Sequence, residues 1–171
     1  MITIRLSKQD EHASILKGND TVAVCRALGY KPRSEKMGKF TREQGTIQGF
    51  RTEYAVARLF NISPPEVNIE SDGGIDMWVN DTSVDVKTTM LDQPMLIFDS
   101  LDRFQADVAV LTKVSDQPEI QILGWMAKKH FLGRAIKKDF GYGERLVVAA
   151  SDLYPIETLW LNFQKKFFSN N

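Results

Sequence analysis

Cysteine is almost absent from the 171 residues: Cys25 stands alone, and His12 and His130 are the only histidines. The chain can therefore build neither a disulfide framework nor a Cys/His zinc cluster. There is no excess of either charge, 22 Lys plus Arg facing 22 Asp plus Glu. A histone-like grip on nucleic acid, in which positive charge over the whole surface supplies the affinity, is excluded, while a local basic groove stays open. No apolar run approaches the roughly 20 residues needed to cross a bilayer. The start, Met1-Ile2-Thr3-Ile4-Arg5-Leu6, lacks the basic flank, apolar core and cleavage site of a secretory signal. An intracellular, cytoplasmic location is expected. Nor is there a repeat period, a low-complexity tract or a glycine/serine linker. Residues 1–171 read as one soluble domain, long enough for a single core to remove roughly two-thirds of the unfolded surface from water.

Within it, residues 1–43 form a polar, helical and basic amino-terminal extension, and 44–171 a core ending in a helix. The extension carries a helix from about Lys8 to Leu28, interrupted near Gly18-Asn19-Asp20, followed by a turn-rich basic passage, Gly29 to Lys39, suited to an arm or lid. Thr41-Arg42-Glu43-Gln44 has the form of a capping box, and Ile47, Phe50, Tyr54 and Ala57 follow at helical spacing, with Val56, Leu59 and Phe60 widening the apolar face. Asn61 and Pro64-Pro65 end that helix. Ile75 to Val79, a turn at Asn80-Asp81, and the alternating Ser83-Val84-Asp85-Val86-Lys87 predict a hairpin. Ala106–Leu111 and Glu119–Gly124 predict further strands, Trp125 to about Phe131 a helix, Arg145–Ala149 a strand, and Tyr154 to about Phe168 a terminal helix opened by Pro155. The mixture predicts an α/β fold with helices packed on a mixed sheet.

The chemistry is concentrated in the hairpin. Of the 22 acidic residues only Asp85 is followed two positions later by lysine, and about one or two such pairs arise by chance in a chain of this composition. Placement is what gives the pair its value. On a strand Val84 and Val86 enter the core while Asp85 and Lys87 leave together on the opposite face, with Asp76 nearby across the hairpin. Two carboxylates and the Val86 carbonyl are hard oxygen donors suited to Mg²⁺ or Mn²⁺. A divalent ion there would activate a bound water, and an adjacent ammonium would orient it or help deprotonate it. Glu53, on the preceding helix, is positioned to complete the set.

Glu53 on a first helix, then Gly73-Gly74-Ile75-Asp76, then Asp85-Val86-Lys87 resembles the PD-(D/E)XK nuclease superfamily, the fold of many restriction enzymes, junction resolvases and phage or repair nucleases. The likeness covers roughly Thr41 to Leu123, with Ile75 in the place of the proline and Asp85 where glutamate is more frequent. The resemblance implies a restriction-endonuclease-like core with a mixed central sheet flanked by helices. It implies Mg²⁺ held by Glu53, Asp76 and Asp85, with Mn²⁺ able to substitute, and Lys87 positioning the attacking water. It also implies hydrolysis of DNA to a 5′-phosphate and a 3′-hydroxyl, commonly by a homodimer, in a phage, mobile-element or repair setting.

Lys128, Lys129, Arg134, Lys137 and Lys138, interleaved with His130, Phe131 and Phe140, are candidate phosphate contacts, with Arg33, Lys36, Lys39 and Arg42 as a second basic cluster. Either group reads equally as a solvated face. Thr88 and Thr89 are candidates for a phosphate contact or, more simply, for satisfying backbone groups. Gly73-Gly74 reads as turn chemistry. Trp78, Trp125 and Trp160, and Phe163, Phe167 and Phe168, read as core or as a dimer surface, Cys25 as a small core residue, and both histidines as ordinary partly exposed residues. The expected activity is that of a metal-dependent DNA endonuclease. A branched-junction resolvase, a nuclease acting on RNA and a catalytically idle nucleic-acid or protein scaffold are its rivals.

Overall fold

The computed structural model describes residues 1–29, 36–37, 40–64, 74–115, 118–141 and 143–169. Strand β1 (Ile2–Arg5) leads into helix α1 (Lys8–Ala27), whose first turn is capped by the Ser7 hydroxyl accepting from the Asp10 N–H at 3.1 Å. The interruption expected at Gly18-Asn19-Asp20 is absent, and α1 runs through it. Gly18 is a packing device: a Cβ there would lie 2.8 Å from the Ile47 Cα of the neighbouring helix, so only glycine admits this close approach.

A two-residue pairing of β2 (Lys36–Met37) with β3 (Phe40–Thr41) precedes that neighbour, α2 (Arg42–Phe60). The expected capping box forms, with Gln44 N–H donating to Thr41 Oγ1 at 3.2 Å and Thr41 N–H to Gln44 Oε1 at 2.9 Å. Asn61 closes the helix in the left-handed region at φ 56°. Polar clasps join α1 to α2. Arg58 grips both carboxylate oxygens of Asp10, holding that carboxyl below its ordinary pKa, and Arg51 Nε reaches Glu11 Oε1 at 2.8 Å.

Next come β4 (Met77–Val79), β5 (Thr82–Thr89), β6 (Met95–Phe98), β7 (Val108–Lys113), β8 (Glu119–Ala127), the short α3 (Lys128–Phe131), β9 (Ile136–Asp139), β10 (Glu144–Ala149) and α4 (Ile156–Ser169). The fold is mixed α/β. Five strands form a mixed sheet in the order β1-β8-β7-β5-β4, with β5 parallel to β7 and the other pairs antiparallel; β6-β10-β9 form a second, antiparallel sheet. One face of the large sheet buries Val84, Val86, Val108 and Val110 against Val56, Ala57 and Phe60 of α2 and Ile156, Leu159 and Phe163 of α4. The other face buries Ala109, Leu111 and Met126 against Leu96 and Phe98 of β6, Phe131 of α3 and Val148 of β10. No helix among the described residues is long and apolar enough to cross a membrane.

The helix expected from Trp125 begins only at Lys128, because β8 continues to Ala127. A bulge sets this register: Leu111 pairs with Gly124 but Thr112 with Ile122, which leaves Leu123 as the extra residue. The bulge exchanges faces, so Ile122 packs under α2 and α4 while Met126 packs under the small sheet. Trp125 then exchanges backbone hydrogen bonds with Tyr154, both 2.9 Å. Gly124 makes this crossing possible, since a Cβ there would sit 2.7 Å from the Tyr154 carbonyl oxygen and 2.9 Å from the Leu153 Cβ. Gly124→Ala is expected to destabilise the protein by about 1–3 kcal/mol, as a lowered denaturant midpoint at unchanged slope.

Candidate active site

Strand β5 divides its side chains as the alternation requires. Val84 and Val86 enter the core shared with α2 and α4, while Asp85 and Lys87 point to the opposite face, beside Ala109 and Leu111 on β7. Asp85 is 1% exposed. Its Oδ1 receives the Lys87 ammonium at 2.6 Å, and that ammonium also stands 5.3 Å from the centre of the Phe98 ring at the rim of the small sheet. The pair therefore sits where the cover of the small sheet ends.

Asp76 joins it through the backbone. Its N–H donates to the Val84 carbonyl at 2.9 Å, and its Oδ2 accepts the Val86 N–H at 2.6 Å. Beyond the short strand β4, the carboxylate thus takes the place of the next ladder acceptor along β5. Amide and carbonyl of one strand residue point to the same side, so the Val86 carbonyl leaves β5 on the Asp76 edge. Burial, together with the negative charges of Glu53 and Asp85, pushes the Asp76 carboxyl up to about 8, against the opposing pull of the Val86 N–H and Lys87. Glu53, 23 positions earlier in sequence, is brought within electrostatic reach of Asp76 by the packing of α2 on β5. The hydroxyls of Thr52 and Thr88 meet there at 2.6 Å.

Glu53, Asp76, Asp85 and the Val86 carbonyl are hard oxygens in one region, and the raised Asp76 value reflects burial first and then the negative charges of Glu53 and Asp85, which a divalent cation would offset. The donor set fits Mg²⁺ in its chemistry. The side chains are not drawn into a closed cage: among the described residues no three acidic, histidine or cysteine groups converge as a ready metal site. Lys87 and the Val86 N–H occupy one oxygen each of Asp85 and Asp76.

The other candidates lie further off. Thr88 turns toward α2 and bonds Thr52, and the Thr89 hydroxyl accepts the Leu91 N–H at 3.2 Å, so both serve the fold. Lys128 and Lys129 stand at the opposite end of β5. The Lys128 N–H bonds the Asp107 carbonyl at 2.9 Å, and the Asp107 carboxylate holds Ser83, four residues or roughly 13 Å along the strand from Lys87. Arg134 lies over the Tyr154 ring at 4.4 Å, and His130 Nδ1 meets the Tyr154 hydroxyl at 3.1 Å.

Lys137 and Lys138 are on β9. Lys137 pairs with Glu144 at 3.1 Å, and Lys138 approaches the Phe140 ring at 5.4 Å. Arg33, Lys39 and Gly73 lie outside the described residues, while Lys36 falls in β2 and Arg42 opens α2.

Two neighbours of the site were not singled out in sequence for it. Phe98 follows an unpunctuated apolar run with no motif. Trp78 is 58% exposed, neither core nor packed on another ring among the described residues, and its position two residues after Asp76 was the available signal. Comparison of the chain with protein-family models, curated proteins and solved structures returns no match.

Proposed function

We propose that this protein is a metal-dependent nuclease that hydrolyses DNA phosphodiester bonds at the Glu53, Asp76, Asp85 and Lys87 cluster, in the manner of the PD-(D/E)XK superfamily. The observation that carries the reading is the shared electrostatic field. Glu53 on α2 and Asp85 in the middle of β5 both act on Asp76 at the approach to β4, and the one lysine following an aspartate at the required spacing touches that aspartate at 2.6 Å. An exposed structural ion pair does not need a partner 1% exposed or two further acids around it. The order of elements from α2 onward supports the same reading: helix, isolated aspartate, hairpin strand, then further core strands.

In this reading Glu53, Asp76, Asp85 and the Val86 carbonyl hold Mg²⁺, with Mn²⁺ as a substitute. When bound, the ion supplies charge to the phosphoryl oxygens and acidity to a water. Lys87, freed from Asp85, holds that water by a hydrogen bond from Nζ and orients its lone pair toward phosphorus. Phe98 beneath the ammonium limits where Nζ can point. Asp76 stays aligned through the Val86 N–H, which fixes one oxygen and leaves the other for the ion. Lys128, Lys129 and Arg134 are distant phosphate contacts at most, and they govern binding rather than the chemical step.

The test is incubation with supercoiled plasmid, linear duplex, four-way junction and single-stranded RNA in Mg²⁺ or chelator. Mg²⁺-dependent cutting that leaves 5′-phosphate ends is expected. Preference for the junction would make the enzyme a resolvase, and preference for RNA would displace the DNA assignment. A folded protein that binds duplex and cuts nothing would favour the scaffold reading.

A further inference from the structure

We propose that Trp78 is a stacking platform for a nucleobase one or two nucleotides from the phosphodiester being cut, so that the site takes DNA with unpaired bases in preference to intact duplex; this rests on the nuclease reading. Met77 and Val79 are 5% and 4% exposed, buried beneath α2 and α4, which directs the intervening indole to the other face of β4. That is the face of Asp85 and Lys87, and Asp76 precedes Trp78 by two residues, roughly 7 Å along a strand. Trp78 pairs with Ser83, roughly 13 Å along β5 from Lys87, so the indole, 58% exposed on that face, is placed to meet a base a nucleotide or two from the phosphate being cut. Trp125 has a different station: its Nε1 is tied to Thr158 Oγ1 at 2.9 Å and its ring lies 5.2 Å from that of Tyr154.

The support under Trp78 is rigid. Trp78 pairs with Ser83, whose N–H and hydroxyl both donate to Asp107 Oδ2, at 3.0 and 2.7 Å, while the Asp107 N–H returns a bond to the Ser83 hydroxyl at 2.9 Å. The hairpin tip is pinned where Asn80 Nδ2 reaches the Phe163 carbonyl at 3.3 Å. A platform fixed in this way loses little freedom when a base settles on it. In an intact duplex every internal base face is covered by its neighbours, so the indole can stack only on a base that is unpaired or at a frayed end.

The experiment measures fluorescence anisotropy of a labelled single-stranded oligodeoxynucleotide, and of the same sequence as a blunt duplex, binding the full chain without divalent metal. Trp78→Ala is expected to weaken single-strand binding by about tenfold or more, the size of a stacking contact, and to leave duplex binding within about threefold; Trp78→Phe should restore most of the loss. Equal losses on both substrates, or no loss on either, would overturn the proposal. So would a self-association, measured by sedimentation, that Trp78→Ala abolishes while strand binding is unchanged, since the indole would then belong to a contact between copies. Cleavage in Mg²⁺ separates the two levels. A protein that cuts, but whose strand preference is the same in Trp78→Ala, overturns this inference alone; a protein that cuts no strand overturns the nuclease reading with it.

Discussion

Replacing Lys87 with alanine is expected to slow single-turnover DNA cleavage by at least about 10³-fold while duplex affinity stays within about threefold, because a positioned proton-handling group contributes on that scale and makes no other contact with substrate. The variant should also show a linked effect on folding. Lys87 places its ammonium 2.6 Å from an Asp85 carboxylate that is only 1% exposed, so the alanine variant leaves that buried negative charge with less compensation. Without metal its melting temperature should fall below that of the wild type. Added Mg²⁺ should recover more stability in the variant than in the wild type, since the cation no longer competes with an ammonium. Cleavage by Lys87→Ala within tenfold of the wild-type rate would remove Lys87 from the chemistry.

Asp76→Asn should abolish cleavage and remove the fall in metal-free stability with rising pH that this carboxyl causes. Burial and the charges of Glu53 and Asp85 hold the folded-state carboxyl at about 8, against 3.8 in the ordinary state. The folded protein therefore binds this proton more tightly than the unfolded chain does. The stability it contributes is fully present below about pH 4 and is lost as pH rises through about 8. Asparagine carries no charge, yet keeps an oxygen for the Val86 N–H. Above pH 8 the metal-free variant is expected to exceed the wild type by at least about 1 kcal/mol, or ~2–4 °C in a chain of this size. Asp76 retains some contact with solvent, which screens part of the effect.

Mg²⁺ should invert the order, since only the wild type gains much from the ion. Binding below pH 8 should also release a proton. Thermal melts of both proteins between pH 5.5 and 8.5, with and without Mg²⁺, measure this. Parallel pH profiles would show that Asp76 carries no accumulated charge.

Much of the site can be read in the sequence because it is built from local patterns. The alternation around Asp85 and Lys87 gives their shared face, the turn at Asn80-Asp81 gives the hairpin, and Thr41 with Gln44 gives the start of the helix carrying Glu53. What local pattern does not carry is partnership across the chain. Strand β1 is only four residues and gains its place by pairing with β8, more than 110 residues away.

Strand β6 is an unbroken apolar run, and β9 is a polar strand at the edge of the small sheet, so neither shows a clean period of two. Gly18 looks like a helix breaker until Ile47 is seen against it. The bulge at Leu123 hides β8 by exchanging its faces, which leaves Trp125 and Met126 with a spacing that suits a helix. Of the basic residues, Lys128 and Lys129 fall on α3 and Lys137 and Lys138 on β9, a division that no local period announces.

The most direct test of the account compares wild type with Asp85→Ala on supercoiled plasmid, each with Mg²⁺ or with chelator, after confirming by circular dichroism that both are folded. The account predicts nicked and linear products only from the wild type and only with Mg²⁺. Metal-dependent cutting by a folded Asp85→Ala protein at the wild-type rate would contradict it.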